Sequence, residues 1–193
     1  MGATRYKKHS ITMMQTPPLV LILPGWQNSG PEHWQSRWER VHGYQRVEQH
    51  DWMRPLRGDW IARLEDVLLG SAQPAVLVAH SLGCIQAAAW ASHSQNTDRV
   101  KAALLAAPPD TERDDVRQML PCWSPVPLQK LPFKTLVMAS SNDPFCSPAR
   151  ARQFADAWGA DFIDAGACGH INADSGLGDW PEAHAQLLRL MAV

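Results

Sequence analysis

The sequence contains no long run of apolar residues and no block of charge of one sign. None of its apolar segments approaches the ~18 consecutive residues that a membrane-spanning helix needs, so we predict no membrane partner. The 18 basic residues are balanced by 19 acidic ones, which gives a net charge of -1. Because nucleic acids and anionic lipid surfaces attract strongly basic proteins, this balance argues against both as partners.

Clusters of metal ligands are also missing from the sequence. The eight histidines show no H-x-x-x-H or similar spacing beside a carboxylate, and we therefore predict neither a metal site nor a cofactor. The four cysteines are widely spaced and include no C-x-x-C pair. Because a chain of 193 residues can form a sufficient core without disulfides, we expect reduced thiols and a cytoplasmic location.

The composition is that of a globular protein, with 45% hydrophobic and 19% charged residues, and the length suits a single domain. Residues 1–16 include Arg5, Lys7 and Lys8 but neither an apolar segment nor a small-residue cleavage site, so they do not resemble a secretory signal. We expect residues 1–16 to be a flexible N-terminal extension and residues 17–193 to form one α/β domain.

Apolar runs suited to strands alternate along the chain with segments of helical periodicity. We predict strands near residues 18–23, 44–49, 75–79, 100–106, 134–139 and 161–163, and helices near residues 32–41, 59–69, 82–92 and 147–158 and from residue 179 onward. This alternation indicates right-handed βαβ units and one doubly wound parallel sheet of about six strands, with helices on both faces. In the strand order 2-1-3-4-5-6, a ligand crevice forms where the order reverses between strands 1 and 3.

Three local patterns refine this outline. In the first helix, Trp34, Trp38 and Val41 are spaced i, i+4, i+7, which predicts that all three lie on its buried face. Asp179 precedes Trp180-Pro181 and is the predicted N-cap of the last helix. The Pro-rich segment 108–132 should contain only short regular elements, too little for a separate cap domain.

The strand at residues 75–79 runs directly into a polar turn and then into an Ala-rich helix. The turn Ala79-His80-Ser81-Leu82-Gly83 matches the nucleophile elbow G-x-S-x-G, with alanine in the first place. Small residues on either side of Ser81 allow the backbone to turn sharply there. The pattern predicts a nucleophilic Ser81 at the carboxyl edge of the sheet, although a serine between small residues is by itself more often a loop or N-cap residue.

Two further residues at strand ends complete the expected chemistry. A serine hydroxyl becomes a good nucleophile when a base removes its proton and a third group orients that base. Asp143 follows the fifth predicted strand and His170 follows the sixth, and the order Ser81, Asp143, His170 is that of α/β-hydrolases. Each residue also has an ordinary explanation, such as turn formation by an Asp-Pro pair. Their coincidence at three strand ends favours a catalytic triad.

Other residues near the crevice compete for these roles. Asp110, after the fourth strand, is the main alternative to Asp143 as the acid that orients the base. His80 is adjacent to Ser81, but neighbouring residues at a sharp turn point apart, so we assign it a supporting role. Cys84 and Cys168 have no histidine arrangement of their own, and we assign both to packing.

A tetrahedral intermediate needs two backbone N–H donors for its oxyanion. The elbow position predicts the amide of Leu82 as one donor, and the loop after the first strand offers the amide of Trp26 as the other. The candidate substrate contacts are Trp26, Gln27 and His33, although for His33 we favour a position at the surface.

A set of short motifs extends over roughly residues 18–190. It comprises Pro24-Gly25, His33-Trp34-Gln35-Ser36, Asp51-Trp52 with Pro55, His80-Ser81-Leu82-Gly83, Ser141-Asn142-Asp143-Pro144, Gly169-His170-Ile171-Asn172 and Gly178 with Trp180-Pro181. Together these motifs resemble the small serine hydrolases related to retinoblastoma-binding protein nine. The resemblance implies a compact α/β-hydrolase fold without a cap domain, an esterase-like activity, and a triad at Ser81, Asp143 and His170.

Two functions from different classes are consistent with these observations. The first is hydrolysis of small carboxylic esters, thioesters or amides through an acyl-enzyme on Ser81, with a small molecule as substrate. The second is a non-catalytic protein-interaction module on a hydrolase scaffold, for which the sequence offers no supporting motif. Because all three members of the expected triad are present, we favour the enzyme.

Overall fold

The computed structural model describes residues 18–192, and the expected extension over residues 1–16 lies outside them. The strands are β1 (Leu19–Leu23), β2 (Gln45–Arg46), β3 (Ala75–His80), β4 (Val100–Ala106), β5 (Lys134–Ala139) and β6 (Asp161–Asp164). The helices are α1 (Trp34–His42), α2 (Arg57–Leu69), α3 (Leu82–Ala91), α4 (Asp114–Met119), α5 (Pro148–Trp158) and α6 (Pro181–Met191). Short 3-10 turns occupy Thr97–Arg99, Pro121–Trp123 and Ala173–Ser175.

The strands form one parallel sheet in the order β2-β1-β3-β4-β5-β6, which confirms the predicted topology. Leu21 of β1 pairs with Leu77 of β3, and Leu77 pairs in turn with Ala103 of β4. The order reverses between β1 and β3, as predicted. The loops that leave the carboxyl ends of these two strands therefore border the crevice expected at such a switch point.

Helices cover both faces of the sheet because alternate strand residues point to opposite sides. On one face, Leu77 of β3 belongs to a core that includes Trp60 of α2 and Phe154 of α5. On the other face, Val78 belongs to a core with Trp34 of α1 and Leu187 of α6. Both faces of β3 are thus buried, which explains why its sequence is continuously apolar up to the turn.

The segment between β4 and β5 contains little regular structure, as its prolines predict. Its regular elements are the six-residue helix α4 and the turn at Pro121–Trp123. Within the described part of the chain, this segment therefore forms no separate cap domain. None of the described helices has both the length and the apolar character required to cross a membrane.

The structure corrects two details of the predicted helices. Val41 is 63% exposed, although Trp34 and Trp38 on the same helix are buried. In the last turn of α1 the packing passes to His42, whose ring stacks on that of His184 at a centroid distance of 3.9 Å, and Val41 faces solvent.

Asp179 is not the N-cap of α6. The cap residue is Trp180, in a left-handed conformation and without a side-chain capping bond. The Asp179 carboxylate instead accepts a hydrogen bond from Arg37 Nε at 2.7 Å. The backbone carbonyl of Asp179 accepts one from Trp38 Nε1 at 2.6 Å. The carboxylate thus links α6 to α1, which a pattern within a single helix does not reveal.

Candidate active site

Ser81 lies at the junction of β3 and α3 with φ 52° and ψ -123°, a strained conformation for a residue with a side chain. Close main-chain contacts hold this turn. A Cβ atom on Gly83 would lie 2.9 Å from the Pro24 carbonyl oxygen and closer still to that of Leu23. A Cβ on Gly25 would lie 2.7 Å from the Ser81 Cβ. Glycine at both positions therefore lets the loop after β1 approach the serine.

The structure brings together the three residues proposed for the triad. The Ser81 hydroxyl donates to His170 Nε2 over 2.8 Å. His170 Nδ1 lies 3.0 and 2.9 Å from the two carboxylate oxygens of Asp143, and because a carboxylate only accepts, we place a proton on Nδ1. The side chain of Asp143 is 3% exposed and that of His170 is 10% exposed, so their contact is shielded from water.

The loop after β1 lies against the same serine. The Trp26 indole donates to the Met53 carbonyl at 3.0 Å, which fixes the ring beside the crevice. Gln27 has φ 67° and donates its amide to the Trp52 carbonyl at 3.0 Å. Among residues 18–192, no group accepts a hydrogen bond from the backbone amide of Trp26 or of Leu82. Both N–H groups therefore remain available to a ligand.

A pocket of about 460 Å³ opens above Ser81. Its wall includes six of the residues singled out in the sequence, namely Ser81, His170, His80, Trp26, Gln27 and His33. Asp143 is not part of the wall and contacts His170 from behind. The volume is within the range of about 300–1,000 Å³ that is usual for small-molecule sites.

A comparison with protein families assigns the chain. The family model described as serine hydrolase matches residues 20–189, which is most of the chain. The protein is a member of this serine hydrolase family. A comparison with curated proteins gives no significant match.

Solved structures agree with this assignment. The serine hydrolase is 30% identical to a YdeN-like hydrolase from Pectobacterium atrosepticum, with a TM-score of 0.80 and 91% of each chain covered. It resembles the ydeN gene product of B. subtilis at 19% identity and a TM-score of 0.73, over 91% of this chain and 100% of that one. A thermophilic esterase from Thermogutta terrifontis matches at 17% identity and a TM-score of 0.61, over 91% and 89% of the two chains. The last two likenesses concern the fold alone.

Side-chain hydrogen bonds fix the loop that carries His170. The side-chain Oδ1 of Asn142 accepts from the Gly169 amide at 2.7 Å, and the Ser140 hydroxyl accepts from the Cys168 amide at 2.9 Å. The Ser175 hydroxyl donates to the Cys168 carbonyl at 2.5 Å. The supports from Ser140 and Asn142 have no signal in the sequence, because they join segments whose proximity depends on the fold, and Ser175 acts within the loop itself.

Two aromatic side chains hold the same loop from the side of α1 and β3. Trp34 Nε1 donates to the Ile171 carbonyl at 2.8 Å. His80 Nε2 lies 2.8 Å from the His170 carbonyl, and because a carbonyl only accepts, His80 donates through Nε2. His80 therefore supports the neighbouring histidine loop of the serine hydrolase, in addition to its place in the elbow.

His33 is buried, at 4% exposure, and the expectation that it lies at the surface was wrong. Its Nδ1 accepts from the Gln35 amide at 3.2 Å and so caps α1, which directs the ring inward against His80 at a centroid distance of 4.6 Å. Burial is the main cause that lowers the pKa of His33 to about 3, with contributions from Arg46 and His170. Burial likewise lowers the pKa of His80 well below its usual value. Both rings are therefore neutral at pH 7.

The alternative candidates occupy other environments. Asp110 faces Arg150, whose Nε is 3.3 Å from its carboxylate, and no hydrogen bond in the described residues joins it to His170. The Cys84 thiol donates to the Ala106 carbonyl at 3.3 Å, and burial raises its pKa well above the usual value. The Cys168 thiol donates to the Ala165 carbonyl at 3.0 Å. In residues 18–192, no group of three or more His, Cys, Asp or Glu side chains is arranged to hold a metal ion.

Proposed function

We propose that this serine hydrolase cleaves small carboxylic esters through an acyl-enzyme on Ser81, with thioesters and amides as chemically related substrates. One observation carries the proposal: a single chain of hydrogen bonds runs from the Ser81 hydroxyl through His170 to the buried Asp143. This is the arrangement that a weak hydroxyl nucleophile requires. It also favours an enzyme over a non-catalytic interaction module.

In the acylation step, Ser81 Oγ attacks the ester carbonyl carbon while its proton passes to His170 Nε2. Asp143 keeps the Nδ1 proton in place and stabilises the imidazolium that forms. Collapse of the tetrahedral intermediate breaks the bond to the alcohol oxygen, which takes the proton from His170 Nε2. The acyl group then remains on Ser81 and the alcohol leaves.

In the deacylation step, a water molecule attacks the acyl carbon and gives its proton to His170 Nε2. The second tetrahedral intermediate releases the carboxylic acid, and the proton returns to Ser81 Oγ. In both steps we assign the oxyanion to the backbone amides of Leu82 and Trp26, which flank Ser81 and have no acceptor among the described residues. No metal or other cofactor is needed for this sequence of steps.

The pocket suits a substrate that enters directly from solvent. The segment between β4 and β5 borders its edge through Val116 and Met119 without enclosing it in a domain. We therefore expect short and medium acyl chains to be accepted.

Proteins and nucleic acids are not among the partners we propose, and the four unpaired cysteines agree with a cytoplasmic location.

Turnover of p-nitrophenyl butyrate by Ser81→Ala tests the proposal. We expect the variant to retain the circular dichroism spectrum and to lose at least ~10³-fold in kcat, because removal of a triad member removes covalent catalysis. Ser141→Ala serves as the control, since Ser141 is an exposed serine at the end of β5. Comparable turnover by Ser81→Ala and the wild type would refute the assignment.

A further inference from the structure

The pocket above Ser81 has one apolar wall. Val116 and Leu120, on and just after α4, are largely buried in the core but border the pocket, and Trp26 and Phe145 pack against the same core. Met119 extends the wall to the rim, where it is 43% exposed. The apolar wall thus consists of Trp26, Val116, Met119, Leu120 and Phe145.

The rest of the pocket has a polar wall of a particular kind. The side-chain Oδ1 of Asn28 accepts from Arg46 Nη1 at 2.6 Å and from the Ser29 amide at 2.8 Å. The side-chain Oδ1 of Asn172 accepts from the Asp174 amide at 3.1 Å. In each asparagine the NH₂ group is therefore left as a donor. The polar wall offers N–H groups to acceptor atoms of a ligand.

His33 places a third donor beneath the polar wall. Because its Nδ1 accepts from the Gln35 amide, the neutral ring carries its proton on Nε2. That buried atom has no hydrogen-bond partner in the described residues, although the ring borders the pocket. An unsatisfied buried donor costs free energy. Because this nitrogen has no exposed surface, it lies beneath the polar wall rather than on it.

No ionised side chain belongs to either wall. Along the described pocket surface there is no Asp, Glu, Lys or Arg, and of its three histidines His33 and His80 are neutral while His170 is the proposed base. Arg46, which contacts Asn28 from behind, is paired with Glu39. A charged substrate group would therefore lose its hydration on entering this pocket without gaining a counter-ion, and burial of an unpaired charge is unfavourable.

The catalytic geometry proposed above indicates which part of the substrate lies on which wall. His170 gives its Nε2 proton to the leaving alcohol, so the alcohol lies on the side of the His170 loop. Asn172 belongs to that loop, and His33 contacts His80, which is bonded to it. The His170 ring is also 4.6 Å from the Phe145 ring of the apolar wall, so it stands where the two walls meet. With the alcohol on the Asn172 side of His170, the alcohol lies along the polar wall and the apolar wall is left to the acyl chain.

We propose that the substrate is an uncharged ester that joins a short or medium apolar acyl chain to a neutral, oxygen-rich alcohol of the glycerol or sugar type. The inference rests on the proposed hydrolase function. It adds that both ends of the substrate are uncharged and that the alcohol contributes hydrogen-bond acceptors.

A matched set of butyrate esters tests the inference. The set consists of 1-butyrylglycerol, butyrylcholine and the butyrate ester of glycolate, which carry a neutral, a cationic and an anionic alcohol. We expect kcat/KM for the glycerol ester to exceed each charged ester by at least about tenfold. Equal or faster hydrolysis of either charged ester would overturn the inference.

Asn172→Asp tests the orientation of the substrate. Aspartate retains the oxygen that caps residues 173–175 and adds a negative charge beside the predicted alcohol position. We expect the ratio of kcat/KM for butyrylcholine to that for butyrylglycerol to rise about tenfold, because the cation gains a partner. Gln129→Glu, which adds the same charge at an exposed position away from the pocket, should leave the ratio unchanged. An unchanged ratio in Asn172→Asp would overturn the orientation.

Labelling with a fluorophosphonate probe separates the two proposals. If the wild type is labelled but does not hydrolyse 1-butyrylglycerol, the substrate inference is wrong and the hydrolase proposal stands. If neither labelling nor hydrolysis occurs, the hydrolase proposal fails and the substrate inference fails with it.

Discussion

The two halves of the candidate site are held in place by different means. The turn at Ser81 is fixed by main-chain packing, since Gly25 and Gly83 let β1, the turn and α3 approach within contact distance. The loop at His170 is fixed by side-chain hydrogen bonds from residues such as Asn142 and His80. The turn at Ser81, here called the serine half, should therefore tolerate no added atoms. The loop at His170, the histidine half, should be sensitive to the loss of single polar groups.

The largest expected effect concerns the carboxylate behind His170. Loss of the corresponding group lowers kcat by ~10⁴ in a serine protease, and we expect Asp143→Asn to lose a large part of that factor. Asp110→Asn, at a carboxylate that faces Arg150, should lose less than about tenfold in kcat. Both variants should be compared by p-nitrophenyl butyrate turnover after a check of folding. The opposite ranking in folded variants would assign the acid to the loop after β4.

Gly83→Ala tests the packing of the serine half. The added Cβ would meet the carbonyl oxygens of Leu23 and Pro24, which belong to the main chain and have little room to move. We expect a loss of about 3 kcal/mol in the free energy of unfolding, measured by urea denaturation. Gly30→Ala is the matched control, because a Cβ there has no atom within 4 Å, and its effect should stay within about 0.5 kcal/mol. Similar stabilities for the two variants would contradict the packing argument.

His80→Asn tests the polar support of the histidine half. The shorter side chain should lose the 2.8 Å contact with the His170 carbonyl and allow the catalytic loop to shift. We expect kcat to fall about tenfold to a hundredfold with little change in KM, because small displacements of catalytic groups are costly. His50→Asn makes the same exchange at an exposed position and should be neutral. An unchanged kcat in His80→Asn would remove its role as a positioning residue.

The buried histidine at the start of α1 should make stability depend on pH. The folded-state pKa of His33 is about 3, below the unfolded value near ~6.5, so the unfolded state binds more protons as pH falls below ~6.5. Each pH unit between these values should then cost the folded state up to about 1.4 kcal/mol from His33. His80 acts in the same direction, since its pKa is also lowered.

His33→Asn isolates this contribution, because asparagine retains a capping oxygen for α1 and does not ionise. Its urea midpoints between pH 7 and pH 5 should decline less steeply than those of the wild type. His50→Asn, at an exposed histidine, should follow the wild-type slope. Parallel slopes in all three proteins would contradict the assignment of a buried neutral ring at position 33.

The sequence was most informative where structure depends on neighbouring residues. The bounds of β4 and β5 match the predictions, because each strand is mostly apolar and is followed within two residues by a turn former, Pro108 or Ser140. The position of Ser81 between a strand and a helix also followed from local pattern. Family membership agrees with the motif resemblance over nearly the same range.

The sequence was least informative where a side chain has a partner far along the chain. The burial of His33 depends on its contact with His80, and Asp179 is engaged by Arg37 of α1. Exposure of Val41 depends on which side of the last turn of α1 packs, and there it is His42 that stacks on His184. Composition and periodicity describe a segment alone, so they do not contain these relations.

The central claim is that His170 activates Ser81 as a covalent nucleophile, and localisation of a covalent adduct tests it most directly. The wild-type protein would be treated with a fluorophosphonate probe, digested, and analysed by tandem mass spectrometry, in parallel with Ser81→Ala and His170→Gln. We expect one adduct on the Ser81 side chain, none in Ser81→Ala, and much slower formation in His170→Gln. An adduct on another residue, or labelling that persists in Ser81→Ala, would contradict the central claim.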